Sequence, residues 1–171
     1  MGVEDMGWNV IRLAKRYGIY ERLIVTANDN NIPSVPVRQL NEIYNAASVG
    51  INTSVGEGWG LVSFEHAAAG AAQVVPRHSA CRELWEGSGL MLDPVMSLTI
   101  EGILTEGKIV APEDVAESLE QLYQNPVLLK EMSLAAWRNA SKPEYRWEYI
   151  AQKWHELFQS TIRQRIILSY L

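Results

Sequence analysis

The sequence has 171 residues, of which 47% are hydrophobic and 20% charged, with a net charge of −5; that is the profile of one globular domain over residues 1–171 rather than of a disordered chain. The acidic balance excludes a sequence-independent nucleic-acid binder, which depends on many Lys and Arg contacts to phosphate, and the single cysteine, Cys81, excludes an intrachain disulfide or a cysteine-rich metal site. No apolar run approaches the ~20 residues of a membrane-spanning helix, and the opening Met1-Gly-Val-Glu-Asp5 has no secretory basic region, so a cytoplasmic protein is expected.

Taken in chain order, the apolar pattern switches between strand and helix. Trp8 to Tyr17 sets Val10, Leu13, Ala14 and Tyr17 at helical spacing, with Gly18 as the stop. Arg22 to Ala27 is a short apolar run, β-branched at its centre, and Asn28-Asp-Asn-Asn31 after it reads as a loop. Pro36 opens a helix with Val37, Leu40, Ile43, Tyr44 and Ala47 in one stripe. Val49 to Ser54 is a second predicted strand, Gly56-Glu-Gly-Trp-Gly60 a glycine-rich turn, and Leu61 to Ala69 a helix that Gly70 ends. Ala72 to Pro76 is a third strand, Ser79 to Trp85 a short helix with Ser79 as its N-cap, and Gly89 to Asp93 a fourth strand. Ser97–Ile100 and Gly107–Val110 fit a small hairpin or an irregular excursion. Helices follow from Pro112, with Val115, Leu119, Leu122 and Tyr123 on one face, and from Pro126 to Ala140. Trp147, Ile150, Ala151, Trp154 and Phe158 then mark a last long helix running towards Leu171.

Strands separated by helices imply right-handed parallel βαβ units. The expected fold is therefore α/β: a Rossmann-like, doubly wound parallel sheet with helices on both faces. Ligands in such sheets bind beyond the carboxyl ends of the strands, which directs attention to the loops after Ala27, Ser54, Pro76 and Asp93. The loop after Ser54 is the most informative. Its glycines at 56, 58 and 60 permit close backbone approach, and the helix behind them offers unpaired N–H groups and a partial positive charge to an anion. Glu57 lies in the turn and Glu65 about one turn into the helix. Carboxylates only accept hydrogen bonds, so two of them beside an anion site suit a ligand rich in hydroxyl donors. A glycine turn ahead of an ordinary surface helix is the alternative, since such turns recur throughout doubly wound folds. No P-loop is present, and no Gly-x-Gly-x-x-Gly follows a strand.

The stretch Glu57-Gly-Trp-Gly-Leu-Val-Ser-Phe-Glu65 resembles the signature of retaining glycosyltransferases of the GT-B fold, family 4, in the lobe that binds the nucleotide sugar. Leu40 to Ile51 resembles the helix and strand ahead of that signature, and His66 to Val75 its continuation. Glu83-Leu84 matches the pair that opens the next helix, Pro112 to Leu134 the helices beyond, and Tyr145-Arg-Trp147 the aromatic step into the last helix. The resemblance implies that Glu65 binds the ribose hydroxyls and that Glu57 lies by the donor hexose and the reaction centre. Gly58, Trp59, Gly60, Leu61 and Val62 would meet donor hydroxyls and the diphosphate, with Ser54 beside them. The Asn28–Pro36 loop would hold the base. It also implies metal-independent, retaining hexosyl transfer from a nucleotide-diphosphate sugar, with no cofactor.

Departures accompany the match. Thr53-Ser54 stands where the family has Pro-Ser, and the small loop after the third strand is bulkier here, Arg77-His-Ser-Ala-Cys81. The family's Gly-Arg…Lys element and its acceptor-binding N-terminal lobe have no counterpart in this sequence. The expectation is thus a donor-binding lobe, incomplete at its N-terminal edge and inactive alone, whose C-terminal helix (144–171) packs on a missing lobe or partner or forms an oligomer. Alternatives are a non-catalytic nucleotide-sugar-binding or assembly module, or a GT-B epimerase or phosphorylase relative. Apart from the cytoplasm, the inner face of a membrane is a second expected location. Among the remaining residues, Arg77 and His78 stand where they can approach a phosphate or the donor sugar, or form a solvated loop pair. His66 is expected to pack or to sit at the surface. Cys81 reads as a small buried hydrophobe, Lys108 and Arg38 as surface charges, and Trp137, Trp147 and Trp154 as core. Trp59, inside the glycine turn, is expected to face a ligand or act as a lid.

Overall fold

The computed structural model describes residues 4–5, 8–24, 35–100 and 105–168. Two compact units divide the chain, residues 1–40 and 41–171. In the first, β1 (Glu4–Asp5) pairs antiparallel with β2 (Trp8–Asn9), and α1 (Val10–Arg16) follows. The helix expected from Trp8 starts two residues later because Asn9 caps it: its side chain accepts the Arg12 N–H at 2.8 Å. Gly18, with φ +68°, follows the helix end, and a 3₁₀ turn spans Tyr20–Arg22. Of the strand expected over 22–27, Arg22 closes that turn and Leu23 and Ile24 are not in a strand. Residues 25–27, and residues 28–34 of the expected base-holding loop, lie outside the described residues.

The second unit carries the parallel sheet. It opens within α2 (Val37–Ala46), at Asn41, and continues with β3 (Val49–Ile51), α3 (Leu61–Ala68), β4 (Ala72–Pro76), α4 (Ser79–Trp85) and β5 (Leu90–Leu92). The strands lie in the order β3-β4-β5, all parallel, with Val49 opposite Ala72 and Val74 opposite Leu90. Every residue of β4 is buried, as a central strand covered on both faces must be. Its alternating side chains divide the core. Val75 packs with Phe64 and Ala67 of α3, Cys81 and Trp85 of α4 and Ala136 of α6 (Pro126–Ala140). Ala72 and Val74 pack on the opposite face with Leu92, Leu122 of α5 (Pro112–Gln124) and Val110 of β7 (Thr105–Val110). Trp85 is fully buried, and its truncation to alanine would cost about 3–5 kcal/mol by the usual price of a large core cavity.

Local chemistry fixes the remaining boundaries. Asn125 caps α6 by accepting the Leu128 N–H at 3.0 Å. Buried Asn139 donates to the Leu84 carbonyl at 2.8 Å and so ties α6 to α4. The segment after β5 is the hairpin rather than an irregular excursion: β6 (Pro94–Ile100) pairs antiparallel with β7, with a bulge between Pro94 and Met96. The Lys108 N–H donates to the Val55 carbonyl at 2.9 Å, attaching this hairpin to the loop after β3. Last comes α7 (Trp147–Leu168), entered through a 3₁₀ turn at Pro143–Tyr145. Its aromatic stripe is not core: Trp147 is 81% exposed and Trp154 54%. Trp137 is also exposed, against expectation, as is Tyr123. No helix among the described residues is long and apolar enough to cross a membrane.

Candidate functional site

The loop after β3 is built from its own polar side chains. Asn52 accepts the Ser54 N–H at 2.8 Å, an Asx turn that bends the chain away from the strand. The same side chain donates to Glu57 Oε1 at 3.2 Å, and the Ser54 hydroxyl donates to that oxygen at 2.9 Å. Both donors converge on one carboxylate oxygen, which orients the half-buried Glu57 side chain and leaves its second oxygen without a described protein partner. The backbone is held as well. Glu57 N–H donates to Ser79 Oγ at 3.0 Å, and its carbonyl accepts the Ala80 N–H at 3.3 Å. Ser79 is therefore not the N-cap of α4. His78 occupies that position, while Ser79 begins the helix at φ +46° and spends its hydroxyl on the Glu57 loop.

Gly60 makes the join between turn and helix. It sits at the N-cap of α3 with φ +81° and ψ +55°, a left-handed conformation in place of the extended one usual at that position. Its carbonyl takes the N–H groups of Ser63 and Phe64, at 3.0 and 3.3 Å. The N–H groups of Leu61 and Val62 remain as the open donors of the helix end, and both residues are exposed. One turn further, exposed Glu65 accepts the Tyr44 phenol at 2.8 Å on Oε2. Burial first, and then the Glu65 carboxylate, push the Tyr44 pKa up to about 12, so the phenol stays a donor. Glu57 thus lies three residues before the N-cap of α3, and Glu65 in its second turn.

Trp59 does not stand free. Its ring packs on Phe64 at 5.1 Å and edge-on to Tyr145 at 5.3 Å. With Tyr145, Trp147 and Glu65 it lines an apolar cavity of about 430 Å³. Arg77 is committed elsewhere, paired with Glu86 and, at 2.9 Å, with Asp93. His78 is 7% exposed, so the solvated loop pair is not formed. Its Nδ1 lies 3.2 Å from Ser79 Oγ, and its buried Nε2 has no hydrogen-bond partner. Burial lowers the His78 pKa; the Ser54 backbone opposes this and the Lys108 charge adds to it. Cys81 is fully buried, and burial with the nearby Glu57 charge pushes its thiol up to about 11. His66 is buried and packs, stacked on Tyr44 at 5.4 Å. Lys108 bonds Ser97 at 2.7 Å and Glu106 at 2.6 Å.

Sequence reasoning passed over Asn52, Ser79 and Tyr44 as site residues. For Asn52 a signal existed, an Asx-turn residue directly after a strand. Tyr44 and Ser79 meet the glutamates only through the fold, at separations of 21 and 22 residues.

The model of a family described as glycosyl transferase-like matches residues 8–156, most of the chain. The chain belongs to that family. Its fold agrees with solved structures. Sucrose-phosphate synthase from Thermosynechococcus elongatus superposes with a TM-score of 0.67 at 18% identity, over 91% of this chain and 34% of that one. WaaG, a glycosyltransferase involved in lipopolysaccharide biosynthesis, superposes with a TM-score of 0.57 at 15% identity, over 79% of this chain and 31% of that one. This glycosyl transferase-like chain thus spans about a third of the length of the structures it matches. At these identities the likeness is one of fold: an α/β architecture with a parallel sheet flanked by helices, shared with GT-B enzymes. None of the curated proteins matches the chain.

Proposed function

We propose that this chain is the donor-binding part of a glycosyltransferase, of the C-terminal lobe type in family 4. It holds a nucleotide-diphosphate sugar for metal-independent hexosyl transfer with retention at the anomeric carbon. The observation that carries this reading is a pair of oriented carboxylates along the entry to α3: Glu57 held by Asn52 and Ser54 before the helix, Glu65 held by Tyr44 in its second turn, with the open Leu61 and Val62 amides at its start. The diphosphate suits the amides and the helix dipole. Glu65 suits the ribose hydroxyls, and Glu57 those of the hexose. During transfer the bond from the anomeric carbon to the diphosphate breaks, the acceptor oxygen takes its place on the same face, and the acceptor proton is released. A second lobe, in the same polypeptide or in a partner, completes the enzyme, and the chain alone binds donor without turnover.

A second reading is an assembly module that keeps the fold and the nucleotide sugar without catalysis. The exposed Trp147, Trp154, Phe158 and Ile162 along α7 favour a helix that works against another surface. Titrating UDP, GDP and ADP sugars into the folded chain by calorimetry tests the donor reading. Saturable binding of at least one is expected. Absence of binding by all of them at millimolar concentration overturns it.

A further inference from the structure

Glu65 is an exposed carboxylate on a helix surface, and such a side chain ordinarily samples several rotamers. Here it does not stand alone. Tyr44, 21 residues earlier on α2, donates to its Oε2 at 2.8 Å. The Tyr44 ring is itself fixed, stacked on His66 at 5.4 Å with 22° between the planes. His66 is 6% exposed, and its Nε2 lies 3.0 Å from the Ala47 carbonyl. A carbonyl only accepts, so Nε2 carries the hydrogen and the ring orientation is set. Beneath His66 the backbone is bare by necessity. A Cβ at Gly50 would fall 2.7 Å from His66 Nδ1 and 2.4 Å from Oε1 of buried Gln73. The sequence thus stacks Gly50, His66 and Tyr44 outward from the sheet and ends on the Glu65 carboxylate.

We infer that Tyr44 is a positioning residue for ligand binding: seated on His66 above Gly50, it holds the Glu65 carboxylate in one orientation so that its remaining lone pairs meet a vicinal ribose diol. This rests on the donor reading above and extends it to how the ribose is distinguished. A carboxylate has about four acceptor positions, and the phenol takes one. The carboxylate reaches the ligand already ordered, which spares the entropy of freezing it on binding. With its pKa raised to about 12, the phenol stays protonated across the neutral range, and its contribution does not vary there.

The test is calorimetric titration of the full chain with UDP, GDP and ADP, and with the 2′-deoxy form of each. Tyr44→Phe keeps the ring and its stack and removes only the donor. For the nucleotide that wild type binds, Tyr44→Phe is expected to weaken affinity by about two- to tenfold, the range set by ordering one side chain. The loss falls mainly on the ribonucleotide, so the preference over the deoxy form narrows. Placed on Glu65→Ala, Tyr44→Phe has no further effect. Wild-type binding that Tyr44→Phe leaves unchanged, or lowers equally for ribo and deoxy forms, overturns the positioning role and spares the donor reading. Binding of none of the nucleotides by wild type removes the donor reading and this inference with it.

Discussion

Replacing Gly60 by alanine separates two roles that the glycine-rich turn combines. Gly60 has φ +81°, while Gly56 and Gly58 do not lie in the left-handed region. Space is not the obstacle: a Cβ at Gly60 would meet Asn52 Nδ2 at 3.6 Å and Glu57 Cδ at 3.9 Å, ordinary contacts, and one at Gly56 or Gly58 would meet nothing within 4 Å. The cost at Gly60 is conformational, roughly 1–2 kcal/mol for an L-residue held in the left-handed well. Alanine also restricts the unfolded chain, returning about 0.4–1 kcal/mol. Gly60→Ala should therefore lose up to about 1.6 kcal/mol while Gly58→Ala gains about 0.4–1 kcal/mol, leaving about 1–2 kcal/mol between the two variants. For a chain of this length 1 kcal/mol moves Tm by about 2–4 °C. Thermal melts and urea titrations followed by far-ultraviolet circular dichroism resolve that difference. Equal stability of the two variants would refute the left-handed assignment of Gly60, and with it the geometry that leaves the Leu61 and Val62 amides open.

Two further predictions use titratable groups behind the same loop. Cys81 is fully buried with its thiol pushed up to about 11; in the native protein at pH 8 it should resist iodoacetamide and react once urea unfolds the chain, and rapid native labelling would contradict its burial. Burial lowers the His78 pKa, so the unfolded state binds its proton more readily than the folded state. Its stabilising contribution is complete above the ordinary imidazole range and is lost as pH falls through that range. Urea stability measured from pH 8 to pH 5 should decline more in wild type than in His78→Gln, and parallel profiles would show that His78 is not the group responsible.

Much of the fold can be read from the sequence because its signals are local. The short apolar runs at 72–76 and 89–93, the prolines at 112 and 126 and the glycine turn each settle their own segment. The parallel sheet and the helices α3 to α7 follow, while the choice between a hairpin and an irregular excursion at 94–110 is made only by the structure. What escapes is contact at a distance. The periodicity of Trp147, Trp154 and Phe158 identifies one face of α7 but not whether any surface covers it, and these side chains are exposed. A serine before a helix suggests a cap, yet Ser79 lies inside α4 because its hydroxyl serves the Glu57 loop instead. The glutamate pair is visible from its spacing, while the groups that orient it, Tyr44 for Glu65 and Asn52 with Ser54 for Glu57, come together only when α2, β3 and α3 are packed. Buried His78 escaped for the same reason: a polar residue in a loop is ordinarily solvated, and here it is buried near the Ser54 backbone and within reach of the Lys108 charge.

The central claim is that Glu65 grips the ribose of a nucleotide sugar, and its most direct test is the affinity of Glu65→Ala for whichever UDP, GDP or ADP sugar the wild-type chain binds, measured by calorimetry on folded samples. Loss of a charge-assisted bond predicts a decrease of about 1–3 kcal/mol, roughly five- to 150-fold in Kd. An affinity equal to that of wild type would contradict the claim and take Glu65 out of the site.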